Sequence, residues 1–166
     1  MNALFPPLTA EVKKNLDALP ALIDEVFPVP GRFRASLPRD VAALSRLLTS
    51  DREDRGASYL GKPANLSAYL KYFLPWNIFR LCRLFGSLPL NLKPLDSVND
   101  LGSGPLTLLL ALWICRPDLR SIPLEFRCVD KTAAVLEAGK KIFSALVHAT
   151  SGSSAWEVKT IRGELK

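Results

Sequence analysis

The residues of this chain whose types and spacing suit ligand chemistry are three acids and one glycine-rich turn. Asp100 stands at the head of Leu101-Gly102-Ser103-Gly104-Pro105, Asp130 follows the expected strand Leu124–Val129, and Glu164 follows Arg162-Gly163. A glycine-rich turn between a strand and a helix lets a ligand approach the backbone closely. The helix behind it offers free N–H groups and a partial positive charge. A dinucleotide site expects G-x-G-x-x-G, but the series here is Gly102, Gly104 and Thr107, so the third glycine is missing. No Gly-Lys-Ser/Thr follows, which excludes a phosphate-binding P-loop.

The acids narrow the ligand further. A carboxylate at Asp100, immediately before the turn, would repel a pyrophosphate. It suits the α-ammonium group of S-adenosylmethionine (SAM), from which it can accept a charge-assisted hydrogen bond. A carboxylate at the end of the second strand, Asp130, can take both hydroxyls of a ribose. Glu164, after the third strand, is placed to reach the adenine amino group. Each acid has a plainer use: Asp100 as a turn residue, Glu164 as a charge near a terminus. Together they sit at three consecutive strand ends, where ligands of open α/β sheets bind.

Two kinds of segment must position these residues. Residues 1–94 read as helical and punctuated by proline. Thr9 is an N-cap, and Val12, Leu16, Leu19, Leu22, Ile23 and Val26 follow at helical spacing, with Pro20 expected to kink or split that helix. Pro38 opens a second helix through Val41, Leu44, Leu47 and Leu48. Residues 51–63 read as a loop. Two further helices are expected to meet at Pro75, in a stretch crowded by Tyr69, Tyr72, Phe73, Trp76, Phe79 and Phe85. Those aromatics suit packing onto the next domain, or a stacking surface for a substrate.

From residue 95 the pattern changes to β-α-β-α-β. Strands are expected at Ser97–Leu101, Leu124–Val129 and Trp156–Ile161, with helices at Leu106–Cys115 and Thr132–Ala149. The first helix is apolar all round, as for one buried on two sides. Gly139 lies on the inner face of the second and permits close packing. Helices between strands imply a parallel sheet with right-handed crossovers. The expected architecture is therefore α/β: a helical region over 1–94, then a partial sheet of three strands over 95–166.

Composition adds limits. The net charge of +6 is uneven, with 13 Lys/Arg against 8 Asp/Glu in residues 1–94 and 9 against 8 in residues 95–166. That basic excess fits an RNA or ribosomal partner, and it equally fits a solvated surface. The longest apolar run, Leu106–Cys115, is about half the ~20 residues a membrane span needs. The N-terminus has no basic start followed by an apolar core, so no signal peptide is expected. Cys82, Cys115 and Cys128 are widely spaced and form no C-x-x-C, and His148 is the one histidine. Free or buried thiols, no metal site and a cytoplasmic location are expected.

The residues also carry a family resemblance. DLGSGPLT resembles the glycine motif of class I SAM-dependent methyltransferases, FRCVD their second-strand acid, and IRGEL their third-strand Gly-acid pair. LTAEVKKNLDAL and YLKYFLPWNIFRL resemble the helical N-terminal region of the methyltransferase-like family linked to mitochondrial small-ribosomal-subunit assembly and its bacterial relatives. The resemblance implies a Rossmann-like sheet with SAM held by Asp100, Gly102, Ser103, Gly104, Asp130 and Glu164. Leu106 departs from it, standing where many methyltransferases have a further glycine.

It also implies a spatial strand order of 3-2-1-4-5-7-6, of which this sequence carries strands 1 to 3. The acceptor-positioning fourth strand is absent, so no catalytic residue is assigned. Strand 1 should then lie at a sheet edge meant to be interior. It should pair with a second copy, stand open to water, or be covered, preferably by the Tyr69–Phe85 segment. Two functions follow as expectations. One is the donor-site portion of a methyltransferase acting on ribosomal RNA. The other is a non-catalytic methyltransferase-like module that binds RNA or a ribosomal partner.

Overall fold

The computed structural model describes residues 7–51 and 59–163. Helix α1 (Ala10–Val26) starts at Thr9, whose hydroxyl accepts from the Val12 N–H, and runs through Pro20 without a break. Short α2 (Gly31–Arg34) and α3 (Leu37–Leu48) follow. Then α4 (Pro63–Ala68), a π-helical turn over Tyr69–Phe73 and α5 (Leu74–Phe85) form one continuous helical run. Pro75 was expected to separate two helices. Instead the wider π turn, closed by the Leu74 N–H on the Tyr69 carbonyl, comes just before it. A proline ring clashes with the carbonyl four residues back, and the extra residue of a π turn shifts that carbonyl aside.

The sheet follows the sequence expectation closely. Strands β1 (Ser97–Leu101), β2 (Glu125–Asp130) and β3 (Glu157–Arg162) are parallel, in the order β1-β2-β3. Asp100 is paired with Cys128, and Asp130 with Arg162. Helix α6 (Thr107–Cys115) links β1 to β2, and α7 (Ala133–Thr150) links β2 to β3. Right-handed crossovers that step in one direction along a sheet put both helices on one face. That face holds buried Phe126 and Cys128. The other carries a chain of charges, in which Glu125 pairs with Arg127 and Lys159, and Lys159 with Glu157.

One core joins the N-terminal helices to the sheet. Val12, Leu19 and Ile23 of α1 and Leu74 and Ile78 of α5 belong to the same buried cluster as Leu109, Trp113, Phe126 and Ile142. Trp113 is wholly buried and meets Phe143 and Trp156 edge-on. Both indole N–H groups have acceptors: Thr150 Oγ1 for Trp113 at 2.9 Å, and the Leu119 carbonyl for Trp156 at 3.0 Å. Burying these rings therefore leaves no polar group unpaired. A smaller cluster, Leu44, Leu60, Ala68 and Val135, anchors α3 and α4 against α7.

The cover expected for β1 is not what forms. Helix α5 packs chiefly on α6, and so satisfies that helix's apolar flank. β1 stays at the sheet edge, with Ser97, Asn99 and Leu101 exposed and no strand on its outer side among the described residues. No helix among those residues is long and apolar enough to cross a membrane.

Candidate functional site

The site is built where β1 gives way to α6. Gly102 and Gly104 both have positive φ, 76° and 54°, which glycine adopts without strain. The N–H groups of Gly102 and Ser103 both point back to the Val129 carbonyl, at 2.9 and 3.0 Å, folding the turn over the end of β2. Leu106, two residues after Gly104, keeps a glycine-like left-handed conformation (φ 56°, ψ 42°) and is fully buried. A left-handed leucine costs about 1–2 kcal/mol, which burial of its side chain, worth about 1.5–3 kcal/mol, offsets.

Asp100 and Asp130 come together at this turn. They lie on neighbouring strands, close enough for the charge of Asp130 to raise the pKa of Asp100. Asp100 is the more unusual group. Its Oδ2 is buried with no hydrogen-bond partner. Burial, and then the charge of Asp130, push its carboxyl up to about 6. Asp130 instead has a backbone donor on each oxygen: Oδ2 accepts from the Gly104 N–H at 3.0 Å and Oδ1 from the Thr132 N–H at 2.8 Å. It therefore ties the glycine turn to the start of α7.

A cleft of about 470 Å³ opens in front of the turn. Asp100, Gly102, Ser103 and Thr107 form one side, and Asn77, Arg80 and Phe85 of α5 face them. Nothing stands within 4 Å of where a side chain on Gly102 would project. Tyr69 closes the end near Gly104. Its hydroxyl accepts from Asn77 Nδ2 at 3.4 Å and also bonds Thr107, while burial raises its pKa. Arg80 lies over the Trp76 ring, 5.1 Å from its centroid.

Of the residues expected at the site, Asp100, Gly102 and Ser103 line the cleft, and Gly104 and Asp130 stand directly behind it. Glu164 lies outside the described residues. Asn77 and Arg80 were missed as site residues, and Tyr69 was read as one of a group of aromatics for packing or for stacking on a substrate. Their common signal is faint: they fall on one stripe of the helical run preceding β1. Comparison with known proteins adds no family, since neither a protein-family model nor a curated protein matches this sequence.

Proposed function

We propose that this chain binds SAM in the cleft between α5 and the glycine turn, as the donor-site portion of a class I methyltransferase. The observation that carries the proposal is the unpartnered, buried Oδ2 of Asp100 beside an open glycine turn. A buried carboxylate oxygen without a donor is costly, by about 1–3 kcal/mol or more, and a ligand ammonium group would relieve it. The cleft volume also suits a nucleoside-sized ligand.

In this assignment Asp100 accepts from the α-ammonium group. Arg80 offers a guanidinium to the methionine carboxylate from the opposite wall. Asp130 fixes the turn, and the second lone pairs of its two oxygens remain for the ribose hydroxyls. Glu164 is assigned to the adenine. SAM itself supplies a methyl group activated by its sulfonium. The chain's own contribution is to bind and orient that donor.

Calorimetry of the chain with SAM tests the proposal. Saturable binding that Asp100→Asn weakens at least tenfold is expected. Binding unaffected by Asp100→Asn, or none at millimolar SAM, would overturn it.

One observation favours a nucleic-acid partner for the same protein, in line with the module reading. Trp76 is half exposed and stacks on Phe79 at 5.6 Å and 16°, next to Arg80. Exposed aromatic and guanidinium planes are platforms for unpaired bases. Trp76→Ala should weaken binding of single-stranded RNA; equal affinity of variant and parent would remove this surface from the proposal.

A further inference from the structure

Cys82 of α5 and Cys115 of α6 are far apart in sequence, yet the packing of the two helices sets their thiols against each other. Both thiols line one small cavity, and Cys82 Sγ donates to the carbonyl of Ala111, one turn before Cys115 on α6, at 3.5 Å. Both are buried, and neither is in a disulfide. That cavity, of about 50 Å³, has a rim that includes exposed Pro7, Thr9, Gly86 and Ser87. The cavity holds one or two water-sized molecules and is too small for glutathione or a protein thiol.

The two thiols are not equivalent. The hydrogen bond with Cys82 holds the Cys115 thiol below its ordinary pKa, and Arg116 acts in the same sense. The same hydrogen bond, together with burial, pushes Cys82 up. Cys115 is also the more accessible of the two, 7% exposed against 0% for Cys82, so it is the thiol that meets a small oxidant and acts as the nucleophile of the pair. Cys128, on β2, is a third buried thiol, pushed by burial to about 12.

We propose that Cys82 and Cys115 are a redox pair, converted by a small peroxide into a disulfide that staples α5 to α6. The Cys115 thiolate attacks one peroxide oxygen and the O–O bond breaks. Cys115 becomes a sulfenic acid, and the other oxygen leaves as water after taking a proton. The Cys82 sulfur then attacks the sulfenic sulfur, forming the S–S bond. The departing hydroxide takes the Cys82 proton and leaves as a second water. Two thiols lose two electrons, and one peroxide gains them. Dithiothreitol reverses the change once the chain is unfolded and the bond is accessible.

The staple would act next to the cleft. Asn77 and Arg80 stand on the stapled α5, and Thr107 and Leu108 on α6. Closing the disulfide ties these two walls together, whatever ligand the cleft holds.

The test is to expose the folded, full chain to hydrogen peroxide, alkylate the remaining thiols after denaturation, and map peptides without reduction. One cross-linked peptide pair joining residues 82 and 115 is expected, lost on treatment with dithiothreitol, with Cys128 recovered as a free thiol. In Cys82→Ser, a dimedone reagent should capture Cys115 as sulfenic acid. In Cys115→Ser, Cys82 should stay a thiol under the same exposure. The wild-type mapping needs no variant to fold. Recovery of both thiols unchanged after prolonged exposure would overturn the proposal. So would a cross-link to Cys128, or a Cys115 that stops at sulfinic or sulfonic acid without a cross-link.

Discussion

Gly139 of α7 lies directly beneath Leu106, the buried left-handed residue that follows the glycine turn. A methyl group on Gly139 would strike the Leu106 side chain, and would stand 2.5 Å from the Pro105 carbonyl carbon and 2.6 Å from its oxygen. The missing β-carbon on α7 is thus what admits a full leucine side chain behind the turn.

Gly139→Ala should therefore destabilise the protein. Alanine inside a helix gains about 1 kcal/mol over glycine, but overpacking against backbone atoms costs about 1–3 kcal/mol. The backbone of Pro105 cannot yield without moving the turn, so the clash outweighs the gain. Chemical denaturation checks this, and a variant more stable than the parent would contradict the packing argument. Under the proposed function SAM affinity should fall as well, because the displaced atoms belong to the glycine turn.

Asp130→Ala should damage stability and ligand binding together. Its carboxylate accepts from two backbone N–H groups, Gly104 and Thr132, that bracket the site. Hydrogen bonds to a charged group are worth about 1.5–3 kcal/mol, so a stability loss of that order is expected in denaturant titrations. SAM binding, measured on the folded fraction, should weaken by a similar amount. A loss of affinity with unchanged stability would mean that the two backbone bonds contribute nothing.

Asp100 gives a pH dependence whose sign follows from its raised pKa. In the folded protein its carboxyl titrates at about 6, above the ordinary 3.8 of an unfolded chain. The folded state therefore holds this proton more tightly. The stability so gained is complete below about 3.8 and is lost as pH rises through about 6. A cationic ligand needs the ionised form, so its affinity should move oppositely. SAM binding should weaken by about tenfold per pH unit below 6 and level off above it. Asp100→Asn should remove both slopes, and an unaltered binding profile in that variant would place the titrating group elsewhere.

The sheet and its glycine turn were legible because each rests on a local pattern. Alternation and apolar runs mark the strands, and Gly102 and Gly104 mark the turn. What the sequence hid depends on contacts distant along the chain. The left-handed Leu106 needs Gly139, and the pairing of Cys82 with Cys115 needs two helices side by side. Asn77 and Arg80 become cleft residues only once α5 lies on α6. Pro75 was misjudged for a local reason: a π turn lets a helical run pass a proline that an ordinary α-helical register would not accommodate.

The open edge of β1 makes a final prediction. The Asp96 carbonyl and the Gly102 N–H both bond to β2, accepting from the Glu125 N–H at 3.0 Å and donating to the Val129 carbonyl at 2.9 Å. In a parallel ladder the bonding residues of one strand alternate, so Val98 and Asp100 also face β2. The N–H groups of Asn99 and Leu101 then point away from it, at an edge where no described strand pairs. In hydrogen exchange the amides of Asn99 and Leu101 should exchange much faster than those of Val98 and Asp100. Exposed Leu101 makes this edge apolar as well as unpaired, a combination that invites a second strand. Raising the protein concentration should therefore slow exchange at Asn99 and Leu101 selectively if two copies pair there, and Leu101→Lys should abolish that dependence. Equal, slow exchange at all four amides in dilute protein would mean that the edge is already covered.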